Sequence, residues 1–535
     1  MEAKIKPLGE DAPKKKRHIM RWIFNILCLL AISFLFLVGV WTRTLLFVWL
    51  IVPIVLWIAA FKRKFAGWLA LGFLACIAGI IIWLFLPDTG NWRPYNFDYE
   101  LKDLEAKRAV PDTENAAIAY QKIIARLDVN NAPPFYDEDC NGNSIHVLWK
   151  GSDHPETAAF LDARADLIAE VIAAAKMEKC AFPLWTNPLN MPLDMFNRMR
   201  HISYLVASAA NRDMGEEKRE EALEKYKCLI SIGRKLQYQT TVIQLLMGIS
   251  IEALADRQLQ SGIIGGDLNK AQLDYIRQML PTTTDDWPEL YSSIFQCDKV
   301  MCKNMFGLMT YEINDAGFVR FRRDPVPFPK ELRQSLPPTT ALQRKLQKFS
   351  SVAMWFVSPQ NPRHLGQIFD EEFERSRKLY DVNQLEIKPS TDTGFHLKWL
   401  ADPYRYTARM MAQMSLPAHV RVHQKYLQTI VYRRTMYILL ALREYKEANG
   451  RWPNNLDQIK DKVPAEAMID PFTGGSFIYE AKGEKFLLYS VGENKIDEKG
   501  KPGPNCRDRS RGTEKSLSDD ILIWPQKFEQ AKEFF

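Results

Sequence analysis

Six residues near the end of the chain offer oxygen in a pattern that suits a metal ion. Asn494, Asp497, Asp519 and Asp520 supply amide and carboxylate oxygens, and Leu488 and Ser490 add oxygens from the end of an apolar run. A hard cation such as calcium takes about six to eight oxygens from such groups. The same residues also read as a solvated acidic loop, with Asp519 and Asp520 blunting the start of "ILIW". A second pattern, "HVRVH", sets His419 and His423 four residues apart. On a helix that spacing puts both imidazoles on one face, the start of a zinc site if an acid or a third histidine joins them. Other residues of that helix are cationic, and the packed-histidine reading stands beside it.

Nucleophilic and nucleotide chemistry is not signalled. No P-loop, H-E-x-x-H, G-x-S-x-G or C-x-x-C pattern occurs. The acid pairs Asp285–Asp286 and Glu371–Glu372 read as a helix start and a solvated face. The histidines His201, His364 and His419 are the residues around which a catalytic pocket would have to form.

The net charge of +7 over 535 residues is unevenly placed. Residues 1–86 carry eleven Lys and Arg against three acids, and the remainder carries 60 against 61. A general phosphate-binding surface is therefore not expected, and nucleic acid is excluded as a partner class. The basic residues flank three apolar runs: Arg21–Trp41, Leu45–Phe61 and Trp68–Leu86. About 20 such residues cross a bilayer as a helix, so three transmembrane helices are expected at 21–86, after a basic cytoplasmic tail at 1–20. "KKKRH" and "KRK" would then lie inside. On that reading the protein is multi-pass in the inner membrane, with the lipid bilayer as a partner and residues 87–535 extracytoplasmic. Cys140, Cys180, Cys228, Cys297, Cys302 and Cys506 would meet an oxidising compartment, where disulfides and buried free thiols are both open readings.

Residues 87–415 read as an irregular helical domain. "EEKREEALEKYKCLISIGRKL" and "TTVIQLLMGISIEALADRQL" carry stripes at helical spacing (Ala222, Tyr226, Leu229, Ile230; then Val242, Leu245, Leu246, Ile249, Ala253) and predict a packed helix pair. Further helices are expected at 268–280, 286–312, 364–382 and 399–414. "FVRFRRDPVPFPK" is a basic, proline-rich connector, a solvated loop or a contact for an acidic partner.

The last segment, 416–535, is the most patterned. A long helix from about Ala418 ends at Gly450. "SFIYE" and "KFLLYS" flank "AKG" as a hairpin, and "DDILIW" supplies a late strand. The order of helix, Gly450 and Pro453, "DPFTG", hairpin, "LYSVG", charged loop and "DDILIW" resembles the C-terminal half of the major pseudopilin of type II secretion systems. That family's helix leads through a Gly-x-x-Pro turn and an Asp-Pro-aromatic-Gly turn to a small antiparallel sheet with a calcium loop. The resemblance spans about the last 110 residues. It implies a calcium site and an interaction or assembly role in the cell envelope, with secretion or envelope proteins as partners. The family's cleavable leader and Phe-Thr-x-x-Glu helix start are not found, so assembly through an N-terminal pilin helix is not implied. Asn494 stands where the family usually has Asp. The fold class expected is three transmembrane helices, a helical domain, and a pseudopilin-like helix plus antiparallel sheet. The function expected is a non-enzymatic tethered scaffold; the alternative is an envelope hydrolase with its site in the helical domain.

Overall fold

The computed structural model describes residues 91–127, 144–186, 191–266, 268–281, 283, 285–315, 319–321, 362–381, 385–388, 403–502, 519–526 and 528–534. In chain order these form β1 (Trp92–Pro94), α1 (Lys102–Arg108), α2 (Ala116–Ala125), α3 (Pro155–Asp162), α4 (Ala165–Lys176), α5 (Leu193–Gly215), α6 (Arg219–Gln237), α7 (Val242–Gly265), α8 (Lys270–Met279) and α9 (Trp287–Thr310). There follow β2 (Tyr311–Asn314), β3 (Val319–Phe321), α10 (Pro362–Arg377), β4 (Tyr380–Asp381), β5 (Glu386–Ile387), α11 (Pro403–Asn449), β6 (Ile478–Lys482), β7 (Lys485–Ser490), β8 (Ile521–Trp524) and α12 (Phe528–Ala531). Two units result. One comprises Met1–Phe97, Met305–Ile368 and Gly394–Tyr406, and the other comprises Asp98–Asn304, Phe369–Thr393 and Thr407–Phe535. The first holds the antiparallel sheet β1–β2–β3, with Trp92 opposite Asn314 and Tyr311 opposite Phe321. The second holds every residue discussed below unless stated.

No helix among the described residues is long and apolar enough to cross a membrane. The expectation of three transmembrane helices is corrected accordingly, as are the multi-pass membrane description and the inner-membrane location with its extracytoplasmic domain. The reason lies in the charges of the long helices. The 24 residues of α7 include Glu252, Asp256 and Arg257, and the 47 of α11 include Arg421, Arg433, Arg434 and Arg443. Such side chains at the centre of a span cost several kcal/mol, on the order of 2.5–3.5 each. The runs 21–41, 45–61 and 68–86 lie outside the described residues.

The helix pair α6–α7 forms, and the first expected stripe (Ala222, Tyr226, Leu229, Ile230) is buried. Of the second only Leu245 is buried; Val242, Leu246 and Ile249 are half-buried and Ala253 is exposed. The buried face of α7 runs instead through Leu245, Gly248, Ile251, Glu252 and Ala255. The closest approach of the pair is at two glycines. A Cβ on Gly233 would lie 2.8 Å from the Gly248 carbonyl oxygen, and one on Gly248 would lie 2.4 Å from that of Gly233. The Thr241 hydroxyl caps α7 by accepting from the Gln244 amide.

Helix α11 is one helix, where two were expected, the first ending at about 414. Pro417 lies inside it. A proline there removes one backbone bond and crowds the preceding turn, at a cost of about 3 kcal/mol. Ala408, Ala412, Leu416 and Val420 are all buried at four-residue spacing, so packing continues across the break. The Ser415 hydroxyl donates to the Ala412 carbonyl beside it.

The C-terminal sheet is antiparallel, in the order β6–β7–β8. Gly483, at φ +62°, opens the two-residue turn that sets Lys482 opposite Lys485. The central strand β7 is buried on both faces. Phe486 and Leu488 join the main core, which also holds Tyr226, Leu259, Val431 and Leu439. Leu487 and Tyr489 face a smaller cluster with Val491, Ala531 and Phe534. The C-terminal elements therefore share one core with the helices that precede them.

A buried ion pair fastens this core. Arg433 Nε donates to Glu252 Oε1 at 2.7 Å, and Nη2 donates to Glu252 Oε2 at 2.8 Å and Gln237 Oε1 at 2.8 Å. Gln237 Nε2 donates to Glu252 Oε2 at 2.6 Å. Burial, and then the Glu252 charge, push the neighbouring Asp256 carboxyl well above its usual range. Breaking one side strands the other: Glu252→Leu is expected to cost about 3–5 kcal/mol. Glu252→Leu with Arg433→Met is expected to recover most of that, as read from urea unfolding of the two variants and the parent.

Candidate functional site

The charged loop begins where β7 ends. Gly492 takes φ +70°, and a Cβ there would lie 2.3 Å from the Asp519 carbonyl oxygen and 3.0 Å from Asp519 Oδ1. Only glycine allows this approach. The amides of Glu493 and Asn494 donate to Asp519 Oδ2 at 3.0 and 3.1 Å. Those of Glu498 and Gly500 donate to Asp520 Oδ2 at 3.1 and 2.7 Å. The loop backbone thus engages one oxygen of each aspartate.

One ligand oxygen from each of Glu498, Asp519 and Asp520 lies within 4.8 Å of the other two. Glu498 Oε2, Asp519 Oδ1 and Asp520 Oδ1 are buried and have no hydrogen-bond partner among the described residues. Asp520 is only 2% exposed, a severe setting for a carboxylate. Its pKa is pushed up to about 7, first by desolvation and then by the charges of Glu498 and Asp497, against the Gly500 amide. Asp519 is raised as well, chiefly by burial. Three carboxylates crowded in this way would hold a hard cation, whose charge removes the repulsion and supplies the missing partner.

Of the six residues proposed from the sequence, Asp519 and Asp520 meet in this cluster. Asn494 Oδ1 accepts from the Ile496 amide at 2.7 Å, and its Nδ2 donates to Glu498 Oε1 at 2.5 Å. Asp497 Oδ1 accepts from the Tyr489 hydroxyl at 2.7 Å and the Lys499 amide at 2.8 Å. Ser490 Oγ accepts from the Gly492 amide, and Leu488 lies in β7 opposite Tyr479 and Trp524. Glu498 was missed. The Lys499 and Gly500 that follow it take φ of +60° and +70° and turn the chain back to the sheet, a turn of which only the glycine gives a sign in the sequence.

Among the described residues no histidine joins a cluster of metal-ligating side chains. His419 Nε2 pairs with Asp298 Oδ2 at 2.6 Å, and its Nδ1 faces the Tyr291 hydroxyl at 3.5 Å. His423 bonds the Tyr380 hydroxyl through Nδ1 and stacks on Trp287 with centroids 4.2 Å apart. The two imidazoles, four apart, thus serve different partners rather than one metal. His201 packs edge-on to Tyr204, and His364 faces Gln367 in the other unit. Asp286 accepts from the Tyr426 hydroxyl, and Glu372 pairs with Arg375 and Arg409. Cys180, Cys228, Cys297 and Cys302 are free thiols raised to about 11 or 12 by burial, so they are poor nucleophiles. Cys140 and Cys506 lie outside the described residues.

Burial lowers the His423 pKa to about 3. Between that value and the unfolded value of about 6.5 the native state binds fewer protons than the unfolded chain, so stability falls as pH falls through this window. The share due to His423 at pH 5 is about 2 kcal/mol. His423→Gln is expected to shrink the stability difference between pH 7.5 and pH 5 by that amount in urea titrations.

No family model matches the chain, and no curated protein and no solved structure matches it.

Proposed function

We propose that the protein is a non-enzymatic interaction and assembly protein whose C-terminal helix-and-sheet module is pinned by calcium. The observation that carries this reading is the clustering of the Glu498, Asp519 and Asp520 carboxylates, each of which has one buried oxygen with no hydrogen-bond partner among the described residues. The order of turns, strands and loop shared with the major pseudopilin supports calcium as the cation and a secretion-linked assembly role. The cation would act structurally. The amides around the cluster are spent on holding Asp519 and Asp520, and the loop closes on the end of a buried strand. Binding only to the folded state stabilises it by about 2.7 kcal/mol at one hundred times the dissociation constant.

The experiment is thermal melting of the full-length protein in calcium and in chelator. A higher melting temperature in calcium is expected, and Asp519→Ala with Asp520→Ala is expected to abolish most of the difference. Equal melting of the parent protein in both conditions overturns the proposal.

The pH dependence gives a second check. Metal-free Asp520 has its folded pKa raised to about 7 from an ordinary 3.8. Its native state therefore binds more protons between those values, and metal-free stability falls as pH rises through them. At pH 5 calcium must displace a proton and at pH 8 it need not, so the calcium increment in melting temperature is expected to be larger at pH 8.

A further inference from the structure

A tyrosine of β7 touches the acidic loop on both sides of Glu498. Tyr489 is 2% exposed, and its ring belongs to the small apolar cluster with Leu487, Val491 and Phe534. Its hydroxyl donates to Asp497 Oδ1 at 2.7 Å. The same oxygen accepts the Lys499 amide at 2.8 Å, so Asp497 closes a turn around Glu498. Beyond Glu498 the chain comes back onto the ring. A Cβ on Gly500 would lie 3.5 Å from Tyr489 Cδ1 and 3.6 Å from Leu522 Cδ1. The hydroxyl thus fixes the residue before Glu498, and the ring supports the second residue after it.

Both contacts lead to the carboxylates. The Glu498 and Gly500 amides donate to Asp520 Oδ2 at 3.1 and 2.7 Å. Lys499 between them is held at φ +60°, a conformation that a residue with a Cβ keeps only where its surroundings impose it. The bond from its amide to Asp497 is one such restraint. Asp497 is itself exposed, and the buried Tyr489 is what ties its carboxylate to the sheet.

The strand pairing brings the same tyrosine to the aspartates by a second route. Leu488 pairs with Trp524 but Tyr489 pairs with Leu522, so β8 carries one extra residue, Ile523, at this point. The extra residue shifts the pairing by one, and Ser490 lies opposite Ile521 where it would otherwise meet Leu522. Gly492 in turn lies against Asp519. Tyr489 therefore stands between the loop that carries Glu498 and the strand end that carries Asp519 and Asp520.

The geometry points to Tyr489 as a positioning residue for the cation site: acting through Asp497, its hydroxyl holds the turn that brings Glu498 to Asp519 and Asp520. This rests on the reading of those three carboxylates as a calcium site. Asp497 then serves as an acceptor for two donors and not as a ligand, so its oxygen is needed and its charge is not. Groups that orient ligands without touching the metal typically change its affinity about 10- to 100-fold when removed.

The test is a calorimetric titration of calcium into the full-length parent and its variants, below their melting temperatures. Tyr489→Phe keeps the ring against Gly500 and removes only the hydroxyl; it is expected to weaken calcium binding about tenfold. Asp497→Ala removes the acceptor and is expected to weaken binding at least as much. Asp497→Asn keeps the Oδ1 acceptor and is expected to bind close to the parent. Tyr489→Phe with Asp497→Ala is expected to bind as Asp497→Ala alone does, because both changes cut one link. A merely structural tyrosine would lower the melting temperature in chelator and leave the dissociation constant unchanged, which overturns the inference. Asp497→Asn binding as weakly as Asp497→Ala overturns it too, since the charge and not the acceptor would then be what holds calcium. Should Tyr489→Phe fail to fold, the two Asp497 variants decide. If the parent binds calcium and Tyr489→Phe binds it equally well, this inference fails while the site stands; if the parent binds none, both fail.

Discussion

Arg433 must find a carboxylate, because a guanidinium 2% exposed cannot be left to water. Its partner Glu252 lies 181 residues earlier and is fully buried. The pair forms only because α6 and α7 approach closely enough at Gly233 and Gly248 to bring Gln237 and Glu252 to one spot. The next residue, Arg434, reaches elsewhere, to the carbonyls of Thr283 and Ile469. Two adjacent arginines on α11 thereby tie together the α6–α7 pair, the segment before α9 and the turn that leads into the C-terminal sheet. Such a pair adds little net stability over an apolar replacement; its effect here is to fix register.

The sheet inherits its position from that register. With β7 buried on both faces, its alternating side chains serve two clusters, and a slip of one residue would exchange them. The end of β7 is consequently a fixed point, and the charged loop starts from it. A loop so anchored can hold carboxylates together against their repulsion, which a free acidic loop would relieve by spreading. Burial first, and the neighbouring Glu498 after it, raise both the Asp519 and Asp520 carboxyls.

Local periodicity carried much of this fold on its face. The stripe at Ala222–Ile230 marked the buried face of α6, and "AKG" between two β-rich runs located the hairpin. For α7 the helix was legible but its face was not, since of the expected stripe only Leu245 is buried and Ala253 is exposed. Non-local facts were not legible. Nothing in the spacing joins Glu252 to Arg433, and the break expected between 414 and 418 does not occur because the buried face that carries α11 through Pro417 is set by tertiary packing. Hydropathy over residues 21–86 led to a membrane description that the described helices do not share, since the long ones carry charged residues along their length. At the site, Asp519 and Asp520 were legible as adjacent acids before a strand. Glu498 was not, because its approach depends on two successive residues at positive φ, one of them a lysine. An isolated lysine carries no signal for that conformation.

Asn494 is the residue whose role changes most between the two readings. Read as a ligand, it was a weakened substitute for an aspartate. In the structure its amide nitrogen donates to one oxygen of Glu498, the other oxygen being buried with no hydrogen-bond partner among the described residues, and its own oxygen is occupied by the Ile496 amide. An aspartate at 494 could not make that donation and would set a fourth negative charge beside Glu498. The neighbouring Asp520, already raised to about 7 by burial and by the charges of Glu498 and Asp497, would be driven further toward its protonated form. In the proposed site the charge comes from Glu498, and Asn494 orients it. The departure from the pseudopilin pattern at 494 and the third carboxylate at 498 are therefore two halves of one arrangement, in which an amide that cannot repel holds in place a carboxylate that can.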